Sequence, residues 1–121
     1  MNNHVLICDD DPGIVDILSM ILLEKGYEVT VCKNSEEVHD NVARKRPFVI
    51  LLDLWMPGLS GEEITTSLKA DPTTSTIPVI ILSASKDTEV TAKQIGADDF
   101  LCKPFNITDI ENIVEKYHAL S

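Results

Sequence analysis

Phe48-Val49-Ile50-Leu51-Leu52-Asp53-Leu54-Trp55-Met56-Pro57-Gly58 is the stretch whose reading decides the fold. It opens with five consecutive apolar residues, which predicts a short strand buried on both faces. The strand stops at one carboxylate, Asp53. Pro57 and Gly58 follow, and both are turn residues. The chain thus brings a single acid to the carboxyl end of a buried strand and presents it in a loop. In open α/β sheets that edge is where ligands bind. Taken alone, Asp53 reads equally well as a strand-ending residue that caps the next turn.

The same pattern recurs on either side. Val5 to Cys8 is apolar throughout and ends abruptly in Asp9-Asp10-Asp11-Pro12. Pro78 to Leu82 predicts a further buried strand, ending in Ser83-Ala84-Ser85, and Asp99 to Cys102 a short one ending at Lys103-Pro104. Glu28 to Val31 alternates and is more polar, which places it at or near an edge. Helices separate these runs. The first begins at Pro12, carries Ile14, Leu18, Ile21 and Leu22 at helical spacing, and stops at Gly26. The second runs from Asn34 to Lys45, with Asn34 and Glu37 at capping-box spacing, and Pro47 closes it. Ser60 and Glu63 open the third, with Ile64 and Leu68 facing inward. After a polar loop from Asp71 to Ile77, the fourth spans Thr88 to Ile95 and stops at Gly96. The last runs from Ile107 to Tyr117, with Asn106 as N-cap and Ile107, Ile110, Ile113, Val114 and Tyr117 as its apolar face. Strand then helix, five times over, demands parallel strands, right-handed crossovers and helices on both faces of the sheet. The predicted fold is an α/β, three-layer, doubly wound sandwich, with residues 1–121 forming one domain.

Composition narrows the function. Hydrophobic residues make up 44% of 121, enough for a real core, and the formal net charge is -10. So acidic a chain repels nucleic acid and anionic membrane, and favours divalent cations and basic protein surfaces. Cys8, Cys32 and Cys102 have no zinc-ligand spacing. Each sits in or beside an apolar run, so all are expected to be buried free thiols of a cytoplasmic protein. Met1-Asn2-Asn3-His4 has no basic segment of a signal peptide, and no apolar run is long enough to span a bilayer.

In a parallel sheet the strand ends lie on one side of the molecule. The first strand delivers Asp9 and Asp10, the third Asp53, the fourth Ser83 and the fifth Lys103. Crowded like charges raise their pKa values or recruit a cation. Two or three carboxylates, with water completing the shell, describe a magnesium site. Calcium fits less well, because Asp9-Asp10-Asp11 is contiguous and no glutamate closes a twelve-residue loop. Lys103 and Ser83 add donors suited to a tetrahedral anion. Metal, ammonium and hydroxyl together would neutralise a phosphoryl group, with one carboxylate as its acceptor. Each residue alone has a plainer reading: Asp9 and Asp10 as strand end and helix cap, Lys103 as a surface charge, Ser83 as a loop hydroxyl. The coincidence at successive strand ends favours the site.

These residues resemble a known family. Cys8-Asp9-Asp10-Asp11-Pro12, Leu52-Asp53-Leu54-Trp55-Met56-Pro57-Gly58, Leu82-Ser83-Ala84 and the run from Gly96 to Phe105 are similar to the motifs of receiver domains of bacterial two-component response regulators. The resemblance covers essentially the whole chain and implies the flavodoxin-like strand order 2-1-3-4-5. It implies that Asp53 accepts a phosphoryl group from a phosphohistidine on a sensor histidine kinase or phosphotransfer protein. It further implies that Asp9, Asp10, Asp53 and the Trp55 backbone carbonyl hold Mg2+. Lys103 is expected to pair with the acceptor carboxylate and then with the phosphoryl oxygens. Ser83 and Phe100 are expected to move as the switch pair, Lys103-Pro104 to be a cis peptide, and a downstream effector protein or domain to receive the signal. Ser83 stands where threonine is more frequent, and Phe100 where tyrosine is. Trp55 and Ser85 occupy positions that in this family tune phosphoryl lifetime, and the Trp55 ring is expected to lie against the metal site and shield the acyl phosphate.

Other readings compete. A haloacid-dehalogenase-like phosphatase needs a general acid two residues after its nucleophile, where this chain has Trp55. A flavodoxin-like binding module needs a phosphate cradle after its first strand, where this chain has three aspartates. A degenerate receiver that works by binding alone, without phosphorylation, is the third. The chain is expected to be a switch that assists its own phosphorylation and slow dephosphorylation rather than an enzyme.

Overall fold

Each run read as a strand in the sequence forms one. The structure is a computed structural model that describes residues 2–56, 58–84 and 87–121. Its elements run β1 (His4–Cys8), α1 (Pro12–Glu24), β2 (Glu28–Cys32), a 3-10 turn (Ser35–Glu37), α2 (Val38–Arg44), β3 (Val49–Asp53), α3 (Gly61–Ala70), β4 (Val79–Ser83), α4 (Thr88–Ile95), β5 (Asp99–Cys102) and α5 (Ile107–Leu120). All strand pairs are parallel, in the order β2-β1-β3-β4-β5. The three continuously apolar runs, β1, β3 and β4, are buried at every residue and sit in the centre. The more polar β2 lies at one edge and β5 at the other, both partly exposed.

Side chains along a strand point alternately to the two faces. Val5, Ile7, Val49, Leu51, Ile80 and Leu82 therefore pack on one side against Leu18 and Leu22 of α1 and Ile110 and Val114 of α5. Leu6, Ile50, Leu52 and Ile81 pack on the other, against Val38 and Val42 of α2, Ile64 and Leu68 of α3 and Ala92 of α4. Each such side chain contributes about 1.5–3 kcal/mol on burial, so the central strands anchor both layers.

Four local expectations need correction. The helix expected from Asn34 to Lys45 is broken. Asn34 Oδ1 accepts the Glu36 amide at 2.9 Å, a bond two residues on that winds a tight 3-10 turn, and α2 starts only at Val38. Ile107 is 58% exposed, because as the first residue of α5 it lies beyond the packed stripe. Cys102 is exposed rather than buried, because β5 is an edge strand. On α1 the buried stripe is Val15, Leu18, Ile21 and Leu22, with Ile14 only partly covered. Among the described residues, no helix is long and apolar enough to cross a membrane.

Candidate functional site

The parallel sheet sends the residue after each central strand to the same edge. β1 places Asp9 there, fully buried, with Asp10 exposed beside it. α1 is capped by the third aspartate of the run. Asp11 Oδ1 accepts the amides of Gly13 (2.9 Å) and Ile14 (3.4 Å). The cap of α1 is thus Asp11, while Asp9 Oδ1 accepts the Asp11 amide (3.0 Å) and braces the turn that leads into it.

β3 places Asp53 at the same edge, 6% exposed. The Leu54 amide continues the pairing to β4 by donating to the Leu82 carbonyl (3.2 Å), and so fixes where Asp53 emerges. Carboxylate oxygens of Asp9, Asp10 and Asp53 lie within 4.8 Å of one another. Lys103, at the end of β5, sets its ammonium 3.0 Å from Asp9 Oδ2 and 3.7 Å from Asp53 Oδ1. Its nearer partner is therefore Asp9 rather than the expected acceptor. Its backbone is tied in as well: the Lys103 amide donates to the Ser83 carbonyl (2.8 Å), and Lys103-Pro104 is cis. Ser83 is 1% exposed at the end of β4.

Among the described residues, one ammonium thus faces three clustered carboxylates. Burial, followed by the charge of Asp9, pushes the Asp53 carboxyl up to about 6, against the lowering pull of the Trp55 amide and Lys103. The site lacks positive charge. Its donors are hard oxygens in a cluster that is part buried and part exposed, a set that fits a divalent cation keeping some of its water.

Phe100 is partly buried against the face that holds Leu52, Ile81 and Ala92. Trp55 departs from expectation. Its backbone amide donates to Asp53 Oδ1 (3.2 Å), but its indole is 74% exposed and does not cover the carboxylate. Pro57 and Ser85 lie outside the described residues.

Two features of the loop after β3 escaped the sequence reading. A Cβ on Gly61 would stand 2.7 Å from Leu54 Cα and 2.9 Å from the Asp53 carbonyl, so only glycine lets α3 start this close to the acid. The Ser35 hydroxyl donates to the Leu59 carbonyl from 24 residues away. The Ser60-Gly61 pair at the start of a helix was a signal for the first. No local pattern signals the second.

With this geometry in view, the comparisons are consistent. A family model described as the response regulator receiver domain matches residues 5–115. The phosphate regulon transcriptional regulatory protein PhoB of Pseudomonas aeruginosa is 36% identical over 104 residues, 84% of this chain and 45% of its own length. A transcriptional regulatory protein of Bacillus subtilis, YkoG, is 39% identical over 109 residues, 88% of this chain and 47% of its own. The chain thus spans about half the length of these relatives. Among solved structures, a response regulator from Chloroflexus aurantiacus superposes with a TM-score of 0.91 at 28% identity, covering 98% of this chain and 99% of that one. The receiver domain of a Pseudomonas aeruginosa sensor histidine kinase, which has a magnesium ion coordinated in its active-site cleft, superposes at 0.87 with 25% identity, covering 97% and 98%. Architecture, acidic edge and family model converge: the chain belongs to the receiver domain family of two-component response regulators.

Proposed function

We propose that this chain is a phosphoacceptor switch in which Asp53 takes a phosphoryl group from a histidine kinase or phosphotransfer partner. The observation that carries the reading is the cluster itself: three carboxylates within 4.8 Å of one another, with the Lys103 ammonium reaching both buried ones. Asp9, Asp10, Asp53 and the Trp55 carbonyl would hold Mg2+, which supplies charge neutralisation for an incoming phosphoryl group. Magnesium in the kinase receiver of like fold supports this assignment.

The remaining steps belong to the chain's own residues. An Asp53 carboxylate oxygen attacks phosphorus in line, the phosphorus–nitrogen bond of the phosphohistidine breaks, and an acyl phosphate forms. Lys103, poised between Asp9 and Asp53, turns to the phosphoryl oxygens, where its charge acts on the transition state. Ser83 donates its hydroxyl to the phosphoryl group, and the half-buried Phe100 ring fills toward the interior. That shift biases the surface of α4, β5 and α5, which a downstream effector reads. The chain assists its own modification and slow dephosphorylation, without sustained turnover of a substrate, in the cytoplasm.

Incubation with acetyl phosphate and magnesium, followed by intact mass, tests this. Wild type is expected to gain one phosphoryl group and Asp53→Asn none. An adduct of equal yield on the variant would put the acceptor elsewhere, and no adduct on wild type would leave the chain a binding module.

A further inference from the structure

The loop joining β3 to α3 is fastened at two places. At its mouth, the Gly61 amide donates to the Leu54 carbonyl (3.1 Å). At its far side, it is tied to the turn after β2. The Ser35 hydroxyl donates to the Leu59 carbonyl, and Ser35 is fully buried. Gly58, at φ +98°, lies so close to this turn that a Cβ would stand 2.5 Å from Asn34 Oδ1 and 2.8 Å from Ser35 Oγ. The turn is itself braced: Asn34 Oδ1 accepts the Glu36 amide, and Cys32 Sγ donates to the Asn34 carbonyl at 2.9 Å. A buried hydroxyl directed at the backbone of a distant segment restricts that segment, since breaking the bond leaves a carbonyl without its partner. The restricted segment includes Trp55, whose amide meets Asp53 Oδ1.

We infer that Ser35 is a positioning residue: through the Leu59 carbonyl its hydroxyl holds the β3–α3 loop in the conformation that receives the cation. The loop's task rests on the proposed function; the tether does not. A loop that samples open conformers binds with an affinity reduced by its competent fraction. One lost hydrogen bond of ordinary strength converts to a loss of about three- to tenfold.

The test compares two variants that lose the same kind of bond in different places. Ser35→Ala removes the tether. Thr74→Ala removes a buried hydroxyl that donates to the Leu68 carbonyl (2.6 Å) in the connection between α3 and β4. Two quantities are read. One is amide hydrogen exchange of residues 58–61 without metal. The other is the magnesium dissociation constant, read by isothermal titration calorimetry. Ser35→Ala is expected to speed exchange there and to weaken magnesium about three- to tenfold. Thr74→Ala should do neither, and Ser35→Thr, which keeps the hydroxyl, should restore both. Unchanged exchange in Ser35→Ala overturns the tether. Faster exchange with magnesium weakened no more than in Thr74→Ala overturns its role toward the cation. Wild type that binds no magnesium sinks the proposed function, while the exchange result still decides the tether.

Discussion

At the amino edge of the sheet, the Lys69 ammonium donates to the carbonyls of Ser75 (3.2 Å) and Ile77 (2.9 Å) and to Asp98 Oδ2 (2.6 Å). That carboxylate oxygen also accepts the Val79 amide (2.8 Å). At the carboxyl edge, the Lys103 ammonium meets Asp9 and, more loosely, Asp53, with Asp10 close by. Both edges hold a lysine that is less than one-fifth exposed. Around Lys69, charge and hydrogen bonds close on themselves, as buried polar groups must if they are to add stability. Around Lys103, negative charge is in excess, and Asp53 carries the consequence in a carboxyl raised to about 6. The amino edge around Lys69 is satisfied by the chain alone. The other is balanced only by a proton or a cation, and that surplus of negative charge is what makes it a candidate site.

The contrast breaks most sharply when the two lysines are exchanged for methionine. Lys103→Met removes the ammonium nearest the developing charge. Phosphoryl uptake from acetyl phosphate should slow by about a hundredfold or more, the usual cost of one preorganised donor, as read by the rate of mass gain. A rate within a few-fold of wild type would show that Lys103 serves the fold and not the transfer. Lys69→Met should lower stability by about 1–2 kcal/mol in urea unfolding, because it strands two carbonyls and leaves the partly exposed Asp98 carboxylate with the Val79 amide but without its cation. Magnesium affinity should not change. If that affinity falls as well, the two edges are mechanically coupled and the division drawn above is wrong.

Asp53→Asn sharpens the comparison by its sign. Burial and Asp9 raise the folded carboxyl from 3.8 to about 6. A raised carboxyl gives stability that is fully present below the unfolded value and is lost as pH rises through the folded one. At pH 7, without metal, wild type therefore bears the cost of the ionised acid and the amide does not. Asp53→Asn should be more stable by about 1–3 kcal/mol, with the gap closing between pH 6 and pH 4. Magnesium should narrow the gap at pH 7 by stabilising wild type. An equally or less stable variant in chelator would mean that the cluster is not under electrostatic strain.

The central strands were legible because a continuous apolar run has one simple place in a parallel sheet, between two neighbours and two helix layers. The site was legible for the same reason: Asp9, Asp53, Ser83 and Lys103 lie at or just past the ends of such runs. Other features lay beyond local pattern. Phe100-Leu101-Cys102 looks apolar like the central runs, yet Cys102 is exposed, because edge or centre is decided by strand order. Which of three consecutive aspartates caps α1 depends on backbone geometry, and the cap proved to be Asp11. Trp55 turned outward although its size suggested cover; its indole is 74% exposed, and it is the backbone amide that meets Asp53. The bond from Ser35 to Leu59 joins residues 24 apart, and no periodicity reports a contact of that kind.

Asp99, at the satisfied edge, provides the smallest and most discriminating effect. Its carboxylate is 22% exposed and accepts from the Tyr117 hydroxyl (2.9 Å) and the Lys116 ammonium (3.1 Å). The Phe100 amide donates to its other oxygen at 2.9 Å. Burial pushes this carboxyl up, but the Phe100 amide, Lys116 and Tyr117 outweigh it, and the net displacement is downward. The sign is therefore opposite to that of Asp53. A depressed carboxyl gives stability present above the unfolded value, about 3.9, and lost as pH falls through the folded value. Asp99→Asn should cost about 1 kcal/mol at pH 7, since the amide oxygen still accepts while its NH2 faces donors. The cost should fade below about pH 4, the region in which the Asp53→Asn gain is also gone. At pH 7 the two variants should thus differ from wild type in opposite directions, with the Asp53→Asn gain building between pH 4 and pH 6 and the Asp99→Asn cost already largely present at pH 4. If both shift the same way, Asp99 is not held by its partners as an ion, and the amino edge would share the charge imbalance now assigned to the carboxyl edge alone.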